Sequence, residues 1–104
     1  MEPVLIYVTA ANRAEAEKIA RVLLEERLIA CSNLVDHVQS CFWWQENLDR
    51  ASEVLCIFKS LRKNFSAINK RIKELHSYET PCVVALPIID GNPDFLEWIS
   101  ASCG

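Results

Sequence analysis

The sequence predicts an α+β fold of the ferredoxin-like type, a split βαβ sandwich in which two helices cover one face of an antiparallel sheet. First, short β-branched and aromatic runs alternate with segments whose apolar residues recur at helical spacing. Second, the resulting order is β-α-β-β-α-β plus a short C-terminal helix. Third, the length of 104 residues suits one domain, placed at residues 1–104. In this fold the helices leave the opposite face of the sheet uncovered.

The first strand and helix have clear boundaries. Residues 4–9 form a β-branched and aromatic run that is too short for a buried helix. Asn12 suits a helix N-cap, with Glu15 reaching back to complete a capping box. Five apolar residues then recur at helical spacing, namely Ala16, Ile19, Ala20, Leu23 and Leu24. We expect this helix to end near Arg27.

Two long strands follow without a helix between them. Residues 29–44 end in an alternating pattern that suits a strand with two different faces, and the pair Asp36-His37 marks a bend or bulge. Residues 45–47 break the pattern and suggest a hairpin turn. The second long strand is predicted at residues 51–59.

The last third of the chain repeats the strand and helix signals. One helix face carries four apolar residues at matching spacing, namely Phe65, Ile68, Ile72 and Leu75. Pro81 prevents the helix from continuing, and residues 82–86 form a short buried strand. A turn at residues 90–93 precedes a short closing helix at residues 94–101.

Composition and charge exclude several classes of function. The formal charge of -3 gives no general attraction for phosphate backbones, so nucleic acid is not an expected partner. Only two glycines occur, which excludes a Gly-rich phosphate loop. No run approaches the length of a membrane span, and the amino terminus lacks the basic start of a secretory signal. We therefore expect no membrane partner and a cytoplasmic location.

Cysteines and aromatic residues are both prominent. The five cysteines show no Cys-x-x-Cys spacing, so we expect free thiols that serve mostly as small buried apolar residues. Four aromatic residues exceed what so small a core needs, namely Phe42, Trp43, Trp44 and Trp98. Their burial against another copy of the chain is the simplest expectation. Trp43 and Trp44 are adjacent in a strand and therefore face opposite ways.

Six segments together resemble the CutA divalent-cation tolerance family. They occur in the family's order and spacing, at residues 29–34, 44, 53–55, 76–81, 85–88 and 91–99. The resemblance implies a ferredoxin-like subunit in a compact homotrimer similar to the PII signalling proteins. It also implies that the long hairpin and the terminal segment build sheets between subunits. The implied function is a non-enzymatic role in the response to copper and other divalent cations.

The chain departs from the family pattern at proposed copper ligands. Some members carry a first-strand cysteine and paired histidines, and the matching positions here are Val8 and Leu75-His76. The residue after Pro81 is often glutamate, and here it is Cys82. Of the three proposed ligands, only His76 is therefore present.

The candidate metal ligands are His76, Glu79, Cys31 and Cys82. Imidazole and carboxylate together suit a borderline divalent cation, while thiolates favour Cu(I). The alternatives are that His76 satisfies the last carbonyls of the second helix, and that Cys31 is a small buried strand residue.

A ligand cleft between subunits is the alternative site. The resemblance places Trp44, Lys59 and Tyr78 in it, and such a cleft would make the protein a PII-like sensor of a small ligand. An enzyme is the third alternative, for which only Cys31 and His76 offer a nucleophile and a base. We expect no enzymatic activity.

Overall fold

The computed structural model describes all 104 residues, Met1–Gly104. The helices and strands are β1 (Pro3–Ala10), α1 (Arg13–Glu25), β2 (Cys31–Trp44), β3 (Asn47–Leu61), α2 (Phe65–Leu75), β4 (Val83–Pro87) and α3 (Pro93–Ser102). The predicted class and element order are confirmed. None of the helices is long and apolar enough to cross a membrane.

The four strands form one sheet in the order β2-β3-β1-β4, and every neighbouring pair is antiparallel. Ile6 at the centre of β1 lies between Phe58 of β3 and Ala85 of β4. β2 and β4 are therefore the edge strands, and β1 and β3 supply most of the core. The order is that of the ferredoxin-like fold.

The core lies between this sheet and helices α1 and α2. Alternate residues of β1 and β3 point towards the helices, because side chains of a strand alternate between its two faces. The fully buried side chains of this layer include Ile6, Val8, Cys56, Phe58, Ile19, Leu23, Ile68 and Ile72. α3 contacts β1 and β3, and it buries Ile99 outside this cluster.

The opposite face of the sheet is largely apolar and has little cover. We call it the open face, and its apolar residues are Leu5, Tyr7, Val35, Leu55, Ile57, Val84 and Leu86. Four of these side chains are between 38% and 48% exposed, namely Tyr7, Val35, Val84 and Leu86. The uncovered sheet face expected from the sequence is thus present, although its strand residues were not singled out there.

The hairpin of β2 and β3 extends well beyond the sheet. β1 pairs with β3 only from Val54 to Leu61, so residues 38–53 form a two-stranded arm. The predicted bulge at Asp36-His37 is confirmed, because the register shifts there and His37 has φ 62°.

Several predicted boundaries were wrong by a few residues. β3 begins at Asn47 instead of residue 51, because backbone pairing in the arm continues through exposed residues up to the turn. That turn has two residues, Gln45 and Glu46, both with positive φ. α1 ends at Glu25 because Arg27, with φ 60°, has left the helical region. β2 begins at Cys31 instead of residue 29.

The cysteines are all free, as predicted, but most of them are not buried. Only Cys56 lies in the core, while Cys41 and Cys82 are exposed. Cys41 lies in the arm and Cys82 directly precedes the edge strand β4, so neither position has a layer packed over it. The expectation of mainly buried thiols was therefore wrong.

Candidate functional site

The segment at residues 76–82, which leaves α2, passes the end of β1 and the start of α1. We call it the exit segment. His76 anchors it, because its Nε2 donates to the Thr9 carbonyl at 2.8 Å and its Nδ1 accepts from the Tyr78 amide at 3.0 Å. The ring is fully buried. Both ring nitrogens therefore form hydrogen bonds within the chain, an arrangement that neither of the two alternatives for His76 predicted.

Glu15 joins the exit segment to α1. The Asn12 side chain caps α1 by accepting from the Glu15 amide at 2.9 Å, so the predicted N-cap is confirmed. The two carboxylate oxygens of Glu15 accept from the Ala11 amide at 2.8 Å and from the Ser77 amide at 2.7 Å. Burial alone would raise the pKa of Glu15, but these amide hydrogen bonds outweigh it and the pKa lies below its usual range.

Tyr78 connects the exit segment to the rim of the open face. Its hydroxyl donates to Oε2 of Glu53 at 2.9 Å, and its ring lies 4.7 Å from the His76 ring. Burial, together with the hydrogen bond and charge of Glu53, raises the pKa of Tyr78 to about 12. Glu53 itself is only 6% exposed and forms no ion pair within the chain. A nearly buried carboxylate thus lies at this rim with a hydroxyl as its only side-chain donor.

The thiol of Cys82 lies beside this carboxylate. Partial burial and the negative charge of Glu53 raise the pKa of Cys82, so the thiol is protonated at neutral pH. Glu79 is exposed in the same segment. Cys31 lies elsewhere, because it pairs with Lys59 near the far end of the sheet. No three His, Cys, Asp or Glu side chains of the chain are placed to hold a metal ion together.

The three predicted cleft residues are spread along β3. Trp44 pairs with Asn47, Tyr78 contacts Glu53, and Lys59 follows six residues later. Six residues of strand span about 20 Å at roughly 3.3 Å per residue. One subunit therefore does not bring them together, and the cleft stays a prediction that requires a second subunit.

The structure also keeps Cys31 and His76 apart, the two residues considered as nucleophile and base for the enzyme alternative. His76 contacts Thr9, which pairs with Leu55, whereas Cys31 pairs with Lys59 four residues further along β3. That separation is about 13 Å along the strand alone. The two side chains are beyond hydrogen-bond reach.

The four aromatic residues predicted for a subunit interface are all exposed in the single chain. Phe42 and Trp44 lie on the side of the arm that continues the open face, and Trp43, at 70% exposure, faces the other way. Trp98 on α3 stacks with Phe95 at 5.5 Å. The interface itself stays a prediction.

Sequence reasoning missed Glu53 and Glu15 as site residues. Glu53 was noted only as part of a motif, although it occupies a strand position whose same-face neighbours are Leu55 and Ile57. A carboxylate in an apolar row of a strand is the signal that identifies it. For Glu15 the capping pattern was visible, but the contact with Ser77 depends on the tertiary fold.

Comparisons with known proteins agree over nearly the whole chain. The family model described as CutA1 divalent ion tolerance protein matches residues 4–102. The divalent-cation tolerance protein CutA of Archaeoglobus fulgidus is 43% identical over 94 residues, covering 90% of this chain and 91% of that protein. Its counterpart from Thermus thermophilus is 38% identical over 100 residues, covering 96% and 97%.

Solved structures show the same fold. CutA1 from Oryza sativa superposes with a TM-score of 0.96 at 33% identity, covering all of this chain and 95% of that one. The Thermus thermophilus structure gives 0.94 at 38% identity, with full coverage of both chains. The Archaeoglobus fulgidus protein is described as periplasmic, so the cytoplasmic location of this chain stays a prediction. The chain belongs to the CutA1 divalent ion tolerance family.

Proposed function

We propose that this protein is a non-enzymatic homotrimer that contributes to divalent-cation tolerance by binding copper or a similar cation. The main support for the trimer is the open face, which exposes a continuous apolar sheet surface in the single chain. Monomeric proteins rarely leave so much apolar strand surface in water. Closed symmetry would cover this surface in every copy.

The arm supports the same assembly. Its exposed aromatic residues, Phe42 and Trp44, extend the open face beyond the edge of the subunit. β2 and β4 each have one free edge, and such edges pair readily with another chain. A native mass near three times 11.9 kDa is the expected result, and a monomer would contradict the trimer.

Direct metal binding centres on the exit segment. Cys82 and Glu79 are both exposed there, and a thiolate with a carboxylate suits a soft or borderline cation. Cys31 of another subunit would have to complete the set, because one chain does not assemble three ligands. His76 would join only by giving up one of its two hydrogen bonds. Since the Cys82 thiol is protonated at neutral pH, copper binding should strengthen as the pH rises.

A copper titration followed by native mass spectrometry under reducing conditions tests this site. Cys82→Ser should lose the discrete copper adduct, whereas Cys41→Ser should keep it, because Cys41 is also an exposed thiol but lies in the arm, away from the exit segment. Equal copper loading of both variants would remove Cys82 from the site. No adduct on the wild-type trimer would contradict direct copper binding while leaving the assembly intact.

The absence of enzymatic activity is supported by the state of the candidate groups. Both nitrogens of His76 are engaged in the subunit, so its ring is not free to act as a base. The Tyr78 hydroxyl, with a pKa of about 12, is a poor proton donor at neutral pH.

A small-ligand sensor of the PII type is the second candidate, and the contact between Glu53 and Tyr78 favours it. This polar pair lies at the rim of an otherwise apolar face, where a neighbouring subunit would form the other wall. Thermal-shift screening with metabolites and nucleotides tests it, because a specific ligand raises the apparent stability as its concentration rises. A flat response across such a screen would argue against a sensor.

A further inference from the structure

The open face carries two charged side chains that have no partner of opposite charge in the subunit. Glu53 lies at the rim near the exit segment, is 6% exposed, and accepts only the Tyr78 hydroxyl. Lys59 lies further along the same face of β3, and its ammonium donates to the neutral side-chain oxygen of Asn33. Neither residue takes part in an ion pair.

The two charges cannot meet within one subunit. They are six residues apart on one continuous strand, which corresponds to about 20 Å. A carboxylate that loses most of its hydration without gaining a cation is costly. The site around Glu53 is therefore suited to receive an ammonium group from outside the subunit.

We propose that the ammonium of Lys59 in one copy pairs with the Glu53 carboxylate of the next copy around the trimer. The proposal rests on the trimer proposed above and specifies how its subunits meet. In a ring, each contact joins two different patches, one from each neighbouring copy. Opposite charges at two separate places on the same face match this requirement, and a closed ring leaves no Glu53 or Lys59 without a partner.

Such a pair would fix the register of the interface. Apolar contacts between Tyr7, Val84 and similar side chains are non-directional, so they allow neighbouring sheets to slide relative to one another. A shifted register would bury Glu53 and Lys59 against apolar surface without a partner, which is strongly disfavoured. The two charges thus select one arrangement among several with similar apolar contact.

A double-mutant cycle on the full-length protein tests the pair. The variants are Glu53→Gln, which keeps an acceptor for Tyr78, Lys59→Met, which keeps the chain length, and their combination. The dissociation constant for trimer assembly is measured by sedimentation across a dilution series. Each single change should raise the dissociation constant at least about tenfold. The double variant should have a dissociation constant no higher than that of the more strongly affected single variant.

The separation in the chain makes this cycle informative. Residues more than about 10 Å apart in one subunit normally have additive effects, so non-additivity would report the contact between copies. Lys63→Met is the matched control, since Lys63 is exposed beside α2 and should not affect assembly.

Each outcome decides the proposal. A wild-type trimer whose variants show additive effects would overturn the pair but leave the trimer in place. A wild-type monomer would overturn both. If either single variant fails to fold, the reciprocal swap Glu53→Lys with Lys59→Glu replaces the cycle. Restored assembly in the swap would support the pair, and failure of the swap to assemble would refute it.

Discussion

Glu15 should stabilise this fold far more than its position near a helix end suggests. Its carboxylate is 11% exposed and accepts amide hydrogen bonds from Ala11 before α1 and from Ser77 in the exit segment. Glu15→Gln keeps the size and one oxygen of the side chain. It replaces the other oxygen with an amide nitrogen, which cannot accept a hydrogen bond from the backbone N–H that it faces.

The expected cost follows from these two contacts. A hydrogen bond to a charged group contributes roughly 1.5–3 kcal/mol, and a buried donor left without an acceptor costs a similar amount. The glutamine retains one of the two bonds in weaker, neutral form. We therefore expect Glu15→Gln to lower the free energy of unfolding by about 2–3 kcal/mol at pH 7.

Urea denaturation followed by circular dichroism measures this difference at fixed protein concentration, because the proposed trimer assembly would make apparent stability depend on concentration. Glu17→Gln is the matched control on the same helix. Glu17 is 59% exposed, and its contact with Arg13 is a long surface ion pair of 3.8 Å. The loss of this pair should lower the free energy of unfolding by at most about 0.5 kcal/mol.

The pH dependence provides a second check on the same residue. The pKa of Glu15 is lower in the folded state than in the unfolded chain. The stability that Glu15 contributes is therefore fully present at a pH above its pKa in the unfolded chain. It is lost as the pH falls through the folded pKa. The gap between wild type and Glu15→Gln should therefore close in acid. Equal stability of the Glu15 and Glu17 variants at pH 7, or a gap that persists at low pH, would refute the reasoning.

Three further changes test other parts of the fold. Phe58→Ala should cost about 3–5 kcal/mol in urea denaturation, since Phe58 is fully buried at the centre of the core. Asn12→Ala should cost about 1 kcal/mol in the same assay, because α1 loses its N-cap hydrogen bond. Burial, with the nearby charge of Glu15, raises the pKa of Cys56 to about 11. The stability of the wild type should therefore fall as the pH rises from about 9 to 11. Thermal denaturation over the same pH range should show a smaller loss of stability for Cys56→Ala.

The sequence was sufficient for the fold because local signals and burial agree over most of the chain. The alternating residues of β1 and the helical spacing in α1 and α2 each correspond to a face that is buried in the structure. The arm is the exception. Residues 47–50 are all exposed, including Leu48, and they form a strand only because β2 pairs alongside. A periodicity argument depends on one face being buried, so it cannot identify such a segment.

The candidate site was predictable only in part. The sequence drew attention to the exit segment through His76, Tyr78 and Glu79, but the ring of His76 reaches the Thr9 carbonyl, which is 67 residues away in sequence. No local pattern encodes that contact. The same holds for Tyr78 and Glu53, which come together because α2 returns the chain to the rim of the sheet.

The engagement of His76 changes which residues are worth testing for metal binding. A histidine with a free nitrogen binds a cation at little structural cost, whereas this one holds the exit segment against β1. Loss of its ring would displace Tyr78 and thereby leave Glu53 without its donor. A reduced metal response after mutation of His76 would therefore not distinguish lost coordination from a displaced exit segment. Cys82, whose thiol is free and exposed, allows that distinction.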